Sequence, residues 1–178
     1  MPPLGLMPRI CIALGLPTAE RLLDHARREV EAGETFLEFR LDYLDCPEHG
    51  IGVIANLLRD YPDCFVLATC RRHQNGGRFN GSIAEQIQIL DAAVDAGARA
   101  VDVEIETAEA AAGQLDVFRG RAMLVISYHN FEGTPALEPV LRRMTAIPAE
   151  GYRIVTTARK PSDNYRVLSL GRLHPKQP

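Results

Sequence analysis

Charged and apolar residues alternate in the segment Glu38-Phe39-Arg40-Leu41-Asp42. Side chains two residues apart on a β-strand lie on the same face, so Glu38, Arg40 and Asp42 should point to one side, where Glu38 and Arg40 could pair. An edge strand with a solvated charged face would give the same alternation. In a sheet covered on both faces, however, buried charges need partners, and the pattern favours a functional site.

Polar residues also stand where three later strands are predicted to end. Arg71 and Arg72 follow CFVLATC, Glu104 and Glu106 close the AVDVEI segment, and His129 follows LVISY. A histidine titrates near neutral pH and suits general acid–base catalysis, although a core histidine bonded to a backbone carbonyl would fit as well. No His-x-x-x-His or Cys-x-x-Cys spacing indicates a metal site.

A glycine-rich loop, QNGGRFNG, occupies residues 74–81 after the third predicted strand. Its composition fits a plain turn, and it also fits a flap beside the strand ends. It lacks the Gly-Lys-Ser/Thr ending of a nucleotide-binding loop.

The elements that must position these residues alternate between strand and helix. Hydrophobic periodicity predicts strands at 9–14, 36–44, 64–70, 100–105, 122–128 and 152–157, and helices at 19–32, 51–61, 82–96, 108–118, 135–145 and 162–170. Ser82 with Glu85 predicts a capping box. Six βα units imply parallel strands, in either a doubly wound sheet or a (βα)₈ barrel.

The polar strand ends favour the barrel, because barrel active sites lie at the carboxyl ends of the strands. A dinucleotide site lacks support, since the segment ALGLPT after the first strand contains a single glycine.

The composition of the 178 residues, 46% hydrophobic and 24% charged, indicates one globular domain over residues 1–178. The net charge of −3 gives no attraction to nucleic acid or to an anionic membrane surface. No apolar run approaches the roughly 20 residues of a membrane span, and MPPLGLMPRI lacks the features of a signal peptide. Four cysteines without paired spacing suit a reducing cytoplasm.

Taken in order, EFRLDYL, ATCR with its paired-glycine loop, VDVEIE, SYHNF and YRIVTTARKPSDN resemble type I 3-dehydroquinate dehydratase, from about residue 9 to residue 170. The resemblance implies a (βα)₈ barrel of the shikimate pathway that converts 3-dehydroquinate to 3-dehydroshikimate without a metal or organic cofactor. It implies a lysine on strand six whose imine with the substrate ketone acidifies the neighbouring C–H. It also implies His129 as the acid–base residue, with Glu38, Arg40 and Arg71 binding substrate.

Two features depart from the family pattern. Arg153 occupies the position of the imine-forming lysine, and a guanidinium group cannot act as an amine nucleophile. Lys160 follows seven residues later with the opposite strand parity, which argues against its taking that role. The chain also supplies six βα units rather than eight, so the strands that carry another carboxylate-binding arginine and a closing loop have no counterpart. A smaller difference is Asn75, where the family often has glutamate.

Three explanations fit a chain of six units: a fragment of a longer protein, a truncated reading frame, or completion by a homo-oligomer.

Three functions stay open as well. The first is a dehydratase whose turnover is low or absent because the amine is missing. The second is a non-catalytic remnant that binds a small polyhydroxy carboxylate. The third, an unrelated phosphate-binding α/β protein, has less support because no glycine loop opens a helix.

Overall fold

The computed structural model of the chain describes residues 10–173, with side chains as far as residue 170. Six strands alternate with six helices, as the periodicity predicts, although the first residue of the predicted strand at 9–14 lies outside the described residues. The strands are β1 (Ile12–Leu14), β2 (Phe36–Arg40), β3 (Phe65–Thr69), β4 (Ala100–Glu104), β5 (Met123–Asn130) and β6 (Gly151–Thr156). The helices are α1 (Ala19–Glu31), α2 (His49–Asp60), α3 (Ile83–Asp95), α4 (Ile105–Ala110), α5 (Leu137–Thr145) and α6 (Pro161–Leu173).

All six strands form one parallel sheet in the order β1-β2-β3-β4-β5-β6. In a doubly wound sheet the strand order reverses at a switch point, whereas here each strand lies beside its predecessor throughout. The observed order is that of a (βα)₈ barrel with six of its units present, which confirms the fold class predicted from the sequence.

The sheet is strongly curled. Arg153 of β6 contacts Glu38 of β2 at 3.0 Å, although β3, β4 and β5 lie between these strands. In a flat sheet β2 and β6 would lie about 19 Å apart at about 4.8 Å per strand, which is more than the two side chains can span together. The six strands therefore form a half-barrel, and this contact crosses its interior.

Alternate residues on each strand face the helices and build the main apolar core. Leu37 and Phe39 of β2 and Val101 and Val103 of β4 are fully buried there. A smaller apolar cluster fills the inside of the half-barrel at the amino ends of the strands, and consists of Phe65, Leu67, Ala100 and Met123, with Phe36 and Val125 packed against them. The inner face therefore becomes polar only towards the carboxyl ends of the strands.

The predicted strand at 36–44 is too long. β2 ends at Arg40, which pairs in register with Thr69, the last residue of β3, and residues Leu41–Tyr43 form a 3₁₀ turn. Asp42 lies in that turn and accepts hydrogen bonds from Arg40 and from the backbone N–H of Arg78. The prediction that Asp42 shares a strand face with Glu38 and Arg40 is therefore wrong, because the chain turns once no neighbouring strand pairs with it.

The predicted helix at 108–118 is divided. α4 begins earlier, at Ile105, and ends at Ala110, while Ala112–Phe118 is 3₁₀ helix. Ala111 separates the two segments with φ −132°, and Gly113, a poor helix former, lies two residues further on. β4 accordingly ends at Glu104, so Glu106 belongs to α4 rather than to the strand.

The capping box is confirmed at the start of α3. The Ser82 hydroxyl accepts from the Glu85 backbone N–H at 3.2 Å, and the Glu85 carboxylate accepts from the Ser82 N–H at 2.7 Å. None of the helices between residues 10 and 173 has the length and apolar character that crossing a bilayer requires.

Candidate active site

A layer of polar side chains lies at the carboxyl ends of the strands, above the apolar cluster inside the half-barrel. Glu104 of β4 pairs in register with Ser127 of β5, and Ser127 pairs with Arg153 of β6. We call this group the charged layer, and it consists of Glu38, Arg40, Arg71, Asp102, Glu104, Ser127, His129 and Arg153. It contains all five residues that the sequence analysis assigned to the site, and their roles in catalysis and binding stay predictions.

Arg153 lies between two buried carboxylates. Its Nη1 donates to Asp102 Oδ2 at 3.1 Å and its Nη2 donates to Glu38 Oε2 at 3.0 Å. The Asp102 and Glu38 side chains are 0% and 2% exposed, while that of Arg153 is 36% exposed. Burial would lower the pKa of Arg153, but the hydrogen bonds and negative charges of Glu38 and Asp102 outweigh it and raise that pKa. Arg153 is therefore a fixed cation that neutralises both carboxylates.

Arg71 forms the second cationic centre of the charged layer. Its Nη2 donates to Asp102 Oδ1 at 3.1 Å, and its Nε lies 3.9 Å from Glu104 Oε1. The Ser127 hydroxyl donates to the same Asp102 oxygen at 2.6 Å. Asp102 thus accepts bonds from Arg71, which follows β3, and from residues of β5 and β6, and it fixes the orientation of both Arg71 and Arg153.

His129 extends from β5 beside these two arginines. Burial, together with the positive charges of Arg71 and Arg153, lowers its pKa to about 3. Its Nδ1 is buried and has no hydrogen-bond partner among the described residues. The ring stacks on Phe131 with the two centroids 6.1 Å apart, and Phe131 in turn packs against Gly76 of the glycine-rich loop. His129 is therefore neutral at pH 7 and can accept a proton or a hydrogen bond.

Arg40 does not pair with Glu38, contrary to the pairing considered from the sequence. Its Nε and Nη2 donate to the two oxygens of Asp42 at 2.9 and 2.8 Å, a bidentate ion pair with a fully buried carboxylate. Glu38 instead accepts from Arg153 and from the Thr69 hydroxyl, the latter at 2.8 Å. The turn after β2 brings Asp42 back to Arg40, and a simple alternation rule cannot anticipate this.

The two glutamates named at the end of strand four have different environments. Glu104 is buried and accepts from Gln86 Nε2 at 2.7 Å and from the Arg72 backbone N–H at 2.9 Å. Burial raises the pKa of Glu104, and these two hydrogen bonds oppose that rise. Glu106 is 45% exposed and accepts from Asn75 Nδ2 at 2.9 Å. Glu104 therefore anchors the end of β3, while Glu106 contacts the glycine-rich loop at the surface.

Sequence reasoning missed four residues of this hydrogen-bond network: Asp102, Ser127, Thr69 and Gln86. Asp102 lies two positions before Glu104 in the AVDVEI segment and shares its strand face, so parity could have identified it. Ser127 has the same relation to His129.

Lys160 is exposed in the loop before α6, where its backbone N–H donates to Asp163 at 3.2 Å.

No three histidine, cysteine, aspartate or glutamate side chains within the described part of the chain are arranged to hold a metal ion. The four cysteines, all within that part, are free.

These features define the chain as a (βα)₈-barrel protein with a charged site at the carboxyl ends of its strands. The crystal structure of 3-dehydroquinate dehydratase from Geobacillus kaustophilus has the same fold, with a TM-score of 0.86 at 22% identity over 97% of this chain and 71% of that one. The family model described as type I 3-dehydroquinase matches residues 10–177. The chain belongs to the type I 3-dehydroquinase family.

Curated relatives agree with this assignment. A 3-dehydroquinate dehydratase of Dehalococcoides mccartyi is 35% identical over 168 residues, which cover 92% of this chain and 68% of that protein. One from Methanothermobacter thermautotrophicus is 34% identical over 166 residues, covering 91% of this chain and 72% of the relative. The chain thus spans about 70% of the length of the relatives that it matches.

Proposed function

We propose that this chain is a 3-dehydroquinate dehydratase in substrate and reaction class, and that its turnover is low or absent because Arg153 cannot form the imine. The substrate would be 3-dehydroquinate, the product 3-dehydroshikimate, and the pathway that of shikimate. Membership of the family supports the reaction class. The observation that carries the proposal is the position of Arg153, whose guanidinium group lies between Glu38 and Asp102 inside the half-barrel.

His129 suits the acid–base role. A base must be unprotonated before it accepts a proton, and the pKa of about 3 keeps the ring neutral throughout the physiological range. Its buried Nδ1 has no hydrogen-bond partner among the described residues, so this nitrogen keeps an unmet hydrogen-bonding capacity beside Arg71 and Arg153. A depressed pKa also makes the ring a weak base, so its proton-transfer step depends strongly on how acidic the substrate C–H has become.

Glu38, Arg40 and Arg71 suit the binding of a polyhydroxy carboxylate. Each of them already has an ionic partner within the protein, which fixes its geometry before any ligand arrives. A guanidinium group has five N–H donors, so Arg40 and Arg71 keep donors for substrate oxygens after pairing with Asp42 and Asp102. Fixed donors of this kind reduce the ordering cost of binding.

Arg153 removes the step that makes the elimination easy. In the imine route a neutral amine attacks the ketone, and the resulting imine withdraws electrons from the adjacent C–H. Arginine stays protonated, and here Glu38 and Asp102 raise its pKa further. This observation also favours the second candidate function, in which the charged layer binds the substrate without converting it.

The direct test is product formation from 3-dehydroquinate, followed by the ultraviolet absorbance of the conjugated enone. We expect little or no absorbance increase with the unmodified chain and a measurable increase with Arg153→Lys. The Arg153→Met variant is the matched control, because it removes the cation without supplying an amine. Adding His129→Asn to Arg153→Lys should lower the rate by about 10² or more if His129 transfers protons.

Three results would separate the explanations. Turnover by the unmodified chain would contradict the role given to Arg153. Binding of 3-dehydroquinate by the unmodified chain, with turnover only in Arg153→Lys, would support the proposal in full. Binding without turnover in either protein would favour the non-catalytic candidate.

We further propose one domain over residues 1–178, a cytoplasmic location, and a small-molecule substrate as the principal partner. The four free cysteines suit a reducing compartment, and the net charge of −3 gives no general attraction to nucleic acid. Self-association is part of this proposal, because the outer edges of β1 and β6, the first and last strands of the sheet, pair with no strand among the described residues. Sedimentation at several protein concentrations tests it.

A further inference from the structure

Two arginines beside the charged layer, Arg72 and Arg78, have guanidinium groups that contact no carboxylate among the described residues, and Arg78 is the exposed one. Arg40, Arg71 and Arg153 each contact a buried carboxylate. The guanidinium group of Arg78, in the glycine-rich loop beside them, contacts an aromatic ring and no carboxylate among the described residues. Its positive charge is therefore not neutralised within this part of the protein.

The loop that carries Arg78 is held against the end of β3. Phe79 N–H donates to Arg71 O at 3.0 Å, and His73 N–H donates to Phe79 O at 2.9 Å. Gly77 packs so closely on the Arg71 backbone that a Cβ atom there would collide with the Arg71 carbonyl. These contacts hold the loop backbone on both sides of Arg78 in place.

The guanidinium groups of Arg78 and Arg40 both pack on the Tyr43 ring. The Arg78 backbone N–H donates to Asp42 Oδ2 at 3.1 Å, and Arg78 Cζ lies 4.0 Å from the centroid of the Tyr43 ring. Arg40 Cζ lies 4.7 Å from the same centroid. Two guanidinium groups therefore share one aromatic ring at the mouth of the half-barrel, and each gains from the cation–π interaction.

Electrostatics at this position favours an anion. Arg40 and Arg78 carry two positive charges, and Asp42, the carboxylate that both contact, carries one negative charge. These three residues together carry one net positive charge, which attracts an anion to the two guanidinium groups. Planar guanidinium groups bind carboxylates through paired hydrogen bonds, and Tyr43 restricts their orientation.

We propose that Arg78 is a specificity-determining residue that, with Arg40, binds the carboxylate of the ligand at the mouth of the half-barrel. This inference rests on the proposed function, because it takes the ligand to be a polyhydroxy carboxylate. It predicts that Arg78 distinguishes ligands by their anionic group rather than by their hydroxyl groups.

The test is calorimetric titration with quinate, which lacks the reacting ketone, and with its uncharged methyl ester. The unmodified chain is compared with Arg78→Gln, which removes the charge, and with Arg78→Lys, which keeps the charge without the planar group. Arg119→Gln is the matched control, since it removes the same charge from an exposed arginine before β5, at the opposite end of the strands.

We expect Arg78→Gln to weaken quinate binding about tenfold, which corresponds to about 1.4 kcal/mol, and to leave ester binding unchanged. Arg78→Lys should weaken quinate binding by less than Arg78→Gln does, and Arg119→Gln should bind quinate as the unmodified chain does. Added salt should reduce the difference in affinity between quinate and its ester. Quinate bound equally by the unmodified chain and Arg78→Gln would overturn the inference and leave the proposed function standing. If the unmodified chain binds neither quinate nor 3-dehydroquinate, the inference and the proposed substrate class are both overturned.

Discussion

Replacing Arg153 with methionine should destabilise the fold, because it leaves two buried carboxylates without their shared cation. Removing one partner from a fully buried ion pair costs about 3–5 kcal/mol. Arg153 is 36% exposed, which reduces this cost. Asp102 keeps Arg71 and Ser127 as partners, so Glu38 is the group that loses its counter-charge. We therefore expect a loss of about 2 kcal/mol in the free energy of unfolding.

Urea denaturation followed by circular dichroism measures this loss, and a decrease of about 1 M in the midpoint is expected. The matched control is Arg121→Met. Arg121 also pairs with two carboxylates and is 38% exposed, but its partners, Asp91 and Asp95, are 33% and 74% exposed. Its replacement should cost less than about 1 kcal/mol.

A second variant tests the cause of the loss. Adding Glu38→Gln to Arg153→Met removes the uncompensated charge and should restore at least half of the lost stability. Equal losses for the Arg153 and Arg121 variants, or no recovery in the double variant, would refute the argument that burial of the carboxylates decides the effect.

Three further predictions concern single positions. Because the pKa of His129 is about 3 in the folded chain and about 6.5 when unfolded, stability should fall as the pH decreases between these values, by at most about 1.4 kcal/mol per pH unit. His129→Asn should flatten this acid dependence in urea titrations, whereas the exposed His49→Asn should not. Gly76→Ala should lower the unfolding free energy by about 1–2 kcal/mol because φ is +78°, while Gly113→Ala, which meets no other atom, should not lower it. Ser82→Ala should cost about 1 kcal/mol through loss of the α3 cap, measured the same way.

The order of the elements could be predicted because strand and helix periodicities are local properties of the sequence. Segment ends were less predictable, since they depend on distant partners. β2 ends where β3 ceases to pair with it, and the following turn is stabilised by Arg78, 36 residues away from Asp42. Local alternation continues through residues 41–43, so the sequence pattern alone extends the strand too far.

The candidate site shows the same division. Residues at strand ends, such as Glu38, Arg71 and His129, could be selected because a barrel brings the carboxyl ends of its strands together. The ion pairs between these residues could not be predicted, because they depend on the curl of the sheet and on side-chain length. Arg153 contacts Glu38 across 115 residues of sequence, and no local pattern encodes that contact.

Trapping the covalent intermediate tests the central claim about Arg153 most directly. The unmodified chain and Arg153→Lys are each incubated with 3-dehydroquinate and borohydride, which reduces an imine to a stable secondary amine, and their intact masses are then measured. The amine of the variant must be unprotonated to react, and Glu38 and Asp102 favour its charged form, so the yield should rise with pH. We predict an adduct in Arg153→Lys alone. An adduct on the unmodified chain, or none on the variant at any pH, would contradict the assignment of Arg153 to the imine-forming position.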